Sequence, residues 1–127
     1  MKQILENILI DEPNSNFGFI SSDEVGKLVS EIADDRLSEG VDLSKNLGRR
    51  FPFAGEDFEN IVLDGDGWMD SISEISRVLQ KNRYLILFSK LSKDEIVELF
   101  EKHHFSNISE IEFGGVKVFT LKKWFII

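Results

Sequence analysis

Two short apolar runs constrain the fold of this chain more than any other feature. Residues 60–63 and residues 84–88 are nearly continuous stretches of aliphatic and aromatic side chains. Runs of this kind, without polar alternation, are typical of strands that are buried on both faces of a parallel sheet. A helical pattern lies between them. The two runs are therefore predicted to form adjacent parallel strands joined by a right-handed crossover.

Three helices are predicted from a repeated Ser-x-x-Glu spacing. In this capping box, the hydroxyl and the carboxylate satisfy free amide groups at a helix N-terminus. The three boxes are Ser21…Glu24, Ser71…Glu74 and Ser92…Glu95. Apolar residues follow each box at helical spacing. Gly40 and Asn82 are predicted to end the first two helices, because both residue types tolerate the left-handed conformation. Residues 2–10 suit either a helix or a strand.

A hairpin is predicted near the end of the chain, with strands at residues 108–113 and 116–124. The Gly114-Gly115 pair permits the positive dihedral angles of a two-residue turn. The predicted register pairs Phe113 with Val116, Glu112 with Lys117 and Ile111 with Val118. Apolar and charged pairs then lie on opposite faces. The order of elements predicts an α/β fold with a mixed sheet, helices on both faces and a C-terminal antiparallel hairpin.

Composition limits the possible functions. The chain has 127 residues, 42% of them hydrophobic, and a formal net charge of -8. A negative field repels phosphate backbones and anionic membrane surfaces, so direct nucleic-acid binding and membrane binding are not expected. The absence of Cys excludes disulfides and thiolate sites. We expect one cytoplasmic domain, with a helical part in residues 1–38 and an α/β core in residues 39–127.

The middle of the chain is strongly acidic. Residues 52–76 hold seven acids and no base, whereas residues 77–127 hold six acids and nine bases. Such a patch can bind a basic partner, and an exposed Trp beside it would serve as a desolvated anchor. The predicted partner-binding residues are Asp57, Glu59, Asp64, Asp66, Trp68 and Asp70. The alternative interpretation is that the carboxylates form only a solvated face.

No metal site is predicted. An EF-hand aligned on Gly67 would place Val62 at its first ligand position and Ser73 at its last, and neither residue is suitable. His103 and His104 end a predicted helix, where the helix dipole favours an imidazolium. No Cys or other His is present to complete a metal set. The acidic loop is therefore interpreted as the exit of a strand.

Four segments of the chain occur in a familiar order. They are EGVDLS at residues 39–44, RRFPFAGEDFENIVLDG at 49–65, EISRVLQKNRYLIL at 74–87 and DEIVELFEKHHFSNISEIEFGGVKVFTLKK at 94–123. Over about residues 39–121 the sequence resembles the later part of a class I S-adenosylmethionine-dependent methyltransferase. That family has a Rossmann-like sheet of seven strands with an antiparallel last strand. The resemblance implies a Rossmann-like sheet here, and it places Asp42 where the family commonly binds the cofactor ribose.

The glycine-rich cofactor loop of that family is missing. Before Val41 the only glycines are Gly18, Gly26 and Gly40, and they do not form the Glu/Asp-x-Gly-x-Gly pattern whose backbone cradles the cofactor. The interval from Asp42 to Phe51 is also too short for a helix and a third strand. The sequence thus resembles a truncated methyltransferase domain, and we expect no bound cofactor and no useful affinity for S-adenosylmethionine.

Three functions are compatible with these features. The sequence favours a non-catalytic, acidic, protein-binding domain, in its most specific form a bacterial immunity protein that blocks a basic nuclease toxin. The second hypothesis is an S-adenosylmethionine-dependent methyltransferase, completed by a partner subunit. The third is a structural or regulatory subunit of a larger enzyme. The missing glycine-rich loop argues for the first hypothesis, and the acidic residues give it a mechanism of binding.

Overall fold

In a computed structural model, the described part of the chain forms a six-stranded mixed sheet with helices on both faces. The structure describes residues 2–9, 16–21, 23–113 and 116–124. The elements are α1 (Lys2–Ile8), β1 (Asn16–Ile20), α2 (Asp23–Asp35), β2 (Glu39–Asp42), β3 (Phe58–Asp64), α3 (Ile72–Val78), β4 (Leu79–Phe88), α4 (Lys93–Phe100), β5 (Phe105–Phe113) and β6 (Val116–Lys123). None of the described helices is both long enough and apolar enough to cross a bilayer.

The sheet has the strand order β2-β1-β3-β4-β6-β5. The first four strands run parallel, and β6 pairs antiparallel with β4 and with β5. The predicted α/β fold, with a Rossmann-like mixed sheet and a C-terminal antiparallel hairpin, is confirmed. The two apolar runs are adjacent parallel strands, with Ile61 opposite Leu85 and Val62 opposite Ile86.

Alternate residues of the central strands enter two separate cores. On one face, Ile61 and Leu85 pack in a cluster that includes Ile75 of α3 and Ile96 of α4. On the other face, Val62 and Ile86 pack in a second cluster with residues of α1 and α2. Because both faces are covered, both sets of side chains must be apolar. This explains why the runs show no polar alternation.

The C-terminal hairpin has the predicted register. Phe113 lies opposite Val116, Glu112 opposite Lys117 and Ile111 opposite Val118. The Gly114-Gly115 turn falls outside the described residues. β5 forms one end of the sheet, and β6 lies between it and β4. The hairpin therefore closes the sheet on the side away from β1 and β2.

The expected division into a helical part at residues 1–38 and an α/β core from residue 39 missed a strand. β1 lies within that region and is a central strand, paired with β2 on one side and β3 on the other. Its sequence, Asn-Phe-Gly-Phe-Ile, contains a polar residue and a glycine, both of which are uncommon in strands. Gly18 is required by packing, because a Cβ atom there would lie 2.9 Å from Cδ1 of Leu43.

Only one of the predicted capping boxes is established. Ser92 and Glu95 form both reciprocal hydrogen bonds at the start of α4. At α3, the Ser71 hydroxyl instead accepts from the backbone N–H of Gly48 at 2.9 Å, and its side chain makes no cap hydrogen bond. The helix predicted to begin at Ser21 begins at Asp23. Tertiary contacts with the segment before β3 have replaced the local cap at Ser71.

Both predicted helix ends are wrong. Gly40 lies in β2, and α2 has already ended at Asp35. Asn82 does adopt a positive φ of 66°, but it lies within β4 because α3 ends at Val78. The pairing of β3 with β4 shifts register nearby. Asn82 therefore supplies a left-handed residue for a strand irregularity.

Candidate functional site

The carboxyl ends of the four parallel strands form one edge of the sheet. From β1 the chain passes to β2 on one side and then to β3 on the other. In open α/β sheets, ligands bind outside the carboxyl ends of the strands at such a reversal of strand order. The strands that flank this point end at Ile20, Asp42 and Asp64. We call this region the carboxyl rim, defined by residues 20–21, 42–44 and 64–67.

Asp42 is an exposed carboxylate at the carboxyl rim. It is the last residue of β2 and lies opposite Phe19 of β1. Its Oδ1 atom accepts hydrogen bonds from the backbone N–H of Ser44 at 2.9 Å and from the Ser44 hydroxyl. Leu43 N–H donates to the Phe19 carbonyl at 2.9 Å and continues the strand pairing past Asp42. These bonds fix one oxygen of the carboxylate, and no described residue donates to Oδ2.

A groove of about 380 Å³ runs from Asp42 along one flank of α2. It is lined by Phe19, Ser21, Gly26, Lys27, Ser30, Glu31, Asp34 and Asp42. The ring of Phe19 packs against α2 at Gly26, where a Cβ atom would lie 2.9 Å from Cε2 of that ring. The volume falls within the range of small-molecule sites, about 300–1,000 Å³. We call it the α2 groove.

The carboxyl rim matches only part of the S-adenosylmethionine site that the resemblance implies. Asp42 has the position and the chemistry to accept hydrogen bonds from ribose hydroxyls. The connection between β1 and α2 contains no glycine at residues 19–25, so it has no residue that permits the close backbone approach of a cofactor cradle. The residues present fit the nucleoside end of this cofactor and do not fit its methionine end.

Trp68 is buried, so the prediction that it is an exposed anchor is wrong. Its side chain is 0% exposed and lies 5.3 Å from the ring of Phe100, centroid to centroid. The indole N–H donates to the Gly65 carbonyl at 2.6 Å. Because the loop itself satisfies this donor, the whole ring can be buried in the core. Gly65, with a φ of 74°, makes the turn that allows this contact.

The predicted acidic patch is divided between opposite ends of β3. Asp57 and Glu59 lie at the amino end of the strand, and Asp64, Asp66 and Asp70 lie at or beyond its carboxyl end. A strand rises about 3.3 Å per residue, so Glu59 and Asp64 are separated by roughly 16 Å along the sheet. These acids are close together in the sequence, but the structure places them at the two opposite edges of the sheet.

The carboxylate of Glu59 accepts hydrogen bonds from the two strands beside β3. Its Oε2 accepts from the backbone N–H of Asn16 at 2.6 Å, and its Oε1 accepts from the side-chain amide of Gln80 at 3.1 Å. Asn16 begins β1 and Gln80 lies in β4, on the two sides of β3. The carboxylate thus links three neighbouring strands at their amino ends.

An ion pair that sequence reasoning missed holds the segment before β3 against α3. Arg77 lies 2.9 Å from Oε1 of Glu74 and also donates to the carbonyls of Phe51 and Phe53. Phe51 N–H in turn donates to Glu74 at 2.7 Å. The hydrogen bond from Arg77 lowers the pKa of Glu74 below its usual value. The i, i+3 spacing of Glu74 and Arg77 on a helix is the sequence signal for this pair, although the capping-box pattern gives Glu74 a competing role.

No group of three or more metal-ligating side chains occurs within the part of the chain that the structure describes. His103 and His104 follow α4 in a short turn, where His104 has a φ of 71°. The ring of His104 lies 6.3 Å from that of Trp124, and burial lowers the pKa of His103. Both imidazoles thus lie away from the carboxyl rim, in the turn that leads into β5.

Several solved structures that share this fold come from methyltransferases. A chain of the complex between the Haloferax volcanii Trm112 methyltransferase activator and a methyltransferase has a TM-score of 0.70 at 9% identity, covering 97% of this chain and 88% of that chain. The precorrin-6y C5,15-methyltransferase of Geobacter metallireducens has a TM-score of 0.66 at 15% identity, with 96% and 87% covered. A SAM-dependent methyltransferase of Aquifex aeolicus has a TM-score of 0.68 at 10% identity, with 94% and 88% covered. No protein-family model and no curated protein matches the sequence.

These comparisons overturn the prediction of a non-catalytic immunity protein. The three solved structures reported above come from methyltransferases or a methyltransferase complex, and none is an immunity protein, so they favour the alternative hypothesis of a methyltransferase or one of its subunits. The structure also contradicts the two features on which the immunity-protein prediction rested. Its supposed anchor, Trp68, is buried, and its acids lie at two separate edges of the sheet. A basic nuclease toxin as partner has no support.

Proposed function

We propose that the chain is a subunit of an S-adenosylmethionine-dependent methyltransferase. It would hold the nucleoside half of the cofactor at the carboxyl rim, and a second protein would supply the missing half of the site. The fold, at TM-scores of 0.66 to 0.70 against methyltransferase structures, supports the class. That one of these structures is a complex with a methyltransferase activator supports a protein partner.

The observation that carries this proposal is the Asp42 carboxylate. It stands at the end of β2, beside β1, with Oδ1 held by Ser44 and Oδ2 directed to no described donor. A carboxylate accepts hydrogen bonds from both hydroxyls of a ribose diol, and charge-assisted bonds of this kind are among the stronger ones. The α2 groove begins at the same residue, so the carboxylate lies on an open surface that a ligand can reach.

A second protein is needed because the carboxyl rim fits only the nucleoside end of the cofactor. S-adenosylmethionine, when bound, supplies a methyl group activated by a sulfonium. Its amino and carboxyl groups require preorganised donors and acceptors, and the glycine-free connection between β1 and α2 does not provide a cradle for them. Without these contacts, the affinity left after the cost of association is low. The chain therefore orients the nucleoside, and its partner completes the site.

Adenosine is expected to bind the carboxyl rim weakly, with a dissociation constant of about 1 mM, or roughly -4 kcal/mol. In a ¹H–¹⁵N NMR titration the shifted amides should be those of residues 20–21 and 42–44. Asp42→Ala should weaken binding by about tenfold, because it removes the acceptor for the ribose. Asp66→Ala, which removes an exposed acid from the same rim, is the matched control. Shifts that are absent, or equal in both variants, would contradict the proposal.

A further inference from the structure

The free edge of β2 presents a defined pair of backbone groups. β2 is the outermost strand at its end of the sheet, and among the described residues it pairs only with β1. Leu43 N–H donates toward β1. Because the direction of the backbone groups alternates along a strand, those of Val41 also face β1. The N–H and C=O groups of Gly40 and Asp42 therefore face outward.

The α2 groove lies directly beside this free edge. Its α2 side chains recur at helical spacing, at Lys27, Ser30, Glu31 and Asp34. Gly40 lets β2 approach α2 closely, since a Cβ atom there would lie 3.2 Å from the Cα of Ser30. The helix thus lies tightly on the strand, and its outer flank forms a wall next to the unpaired edge. A strand added to β2 would place alternate side chains against this wall.

The negative charge of this surface indicates which kind of segment can bind there. Four acids border the edge and the groove, with one base: Glu31, Asp34, Glu39, Asp42 and Lys27. In a twofold dimer both copies use the same patch. A second copy would therefore place these acids against one another, which is unfavourable. A segment carrying Lys or Arg has the complementary charge.

We propose that β2 and the α2 groove bind an extended basic segment of a partner protein, which adds a strand to the sheet. Main-chain hydrogen bonds to Gly40 and Asp42 would give affinity, and Lys or Arg side chains reaching Glu31 and Asp34 would give specificity. The identification of this partner with the second methyltransferase subunit rests on the proposed function. The strand addition itself requires no cofactor and is tested separately.

The test uses a short capped peptide of alternating Lys and Val, a Glu and Val peptide of equal length, and a Lys and Val peptide N-methylated along one edge. We expect the Lys and Val peptide to bind with a dissociation constant of about 100 µM and to shift the amides of Gly40 and Asp42. The other two peptides should bind at least about tenfold more weakly, because one has the wrong charge and the other cannot form the strand hydrogen bonds.

Variants separate this surface from the general negative charge of the chain. The double change Glu31→Lys with Asp34→Lys should weaken binding of the Lys and Val peptide by about tenfold or more. The double change Glu98→Lys with Glu101→Lys alters the net charge by the same amount, on exposed residues in and after α4. It should change the affinity for the peptide little. Equal binding of the three peptides, equal effects of the two double variants, or shifts confined to β5 would overturn the proposal. Because no nucleoside is present, these outcomes are independent of the adenosine titration.

Discussion

Replacing Trp68 with Ala is expected to lower the free energy of unfolding by about 3–5 kcal/mol. The indole is fully buried, packs on Phe100 and satisfies its N–H within its own loop. Domains of this size have total stabilities of about 5–15 kcal/mol, so the variant should be largely destabilised. Urea unfolding, followed by far-ultraviolet circular dichroism, measures the change.

Trp124→Ala is the matched control for this prediction. Trp124 is 46% exposed, and its truncation should cost less than about 1 kcal/mol. If Trp68→Ala unfolded at the same urea concentration as the parent, Trp68 would not be a core residue. The assignment of the loop after β3 to the core would then fail.

Replacing Arg77 with Ala is expected to lower the free energy of unfolding by about 2–3 kcal/mol. The guanidinium bonds Glu74 and the carbonyls of Phe51 and Phe53, so its loss leaves several acceptors without a donor. The two side chains of the ion pair are 24% and 20% exposed, and solvent therefore weakens the effect relative to a fully buried pair.

The control for Arg77 is an ion pair on the surface. Lys81 lies 3.5 Å from Glu56, with side chains 44% and 47% exposed, and Lys81→Ala should cost less than about 1 kcal/mol. The Arg77 effect should also depend on pH. The pKa of Glu74 is lowered in the folded chain, so its contribution is present above the ordinary carboxyl pKa and is lost as pH falls through the lowered value. An Arg77→Ala effect as small as that of Lys81→Ala would contradict the account.

The strands that were predicted correctly are those encoded by local pattern. Continuous apolar runs mark β3 and β4, and alternating side chains around a Gly-Gly turn mark the hairpin of β5 and β6. Each of these signals acts over a few residues. β1 could not be identified in the same way, because its Gly18 is selected by contact with Leu43. That contact joins residues far apart in the chain, and a single sequence does not reveal it.

The candidate site was predicted only in part for the same reason. Asp42 follows a recognisable motif and does lie at the end of β2. The acids near β3 are neighbours in sequence, but a strand separates its two ends in space. The assignment of Trp68 to the surface failed because the Gly65 carbonyl that satisfies its indole becomes available only once the turn has formed. The α2 groove depends on the packing of α2 against β1 and β2.

The proposed function requires that the carboxyl rim hold only the nucleoside half of the cofactor. Calorimetric titration of the chain alone with adenosine and with S-adenosylmethionine tests it most directly. We expect dissociation constants for both ligands that are weaker than about 100 µM and within about threefold of each other, because the methionine moiety finds no cradle. A low-micromolar dissociation constant for S-adenosylmethionine, with adenosine bound far more weakly, would show a complete site and contradict the account.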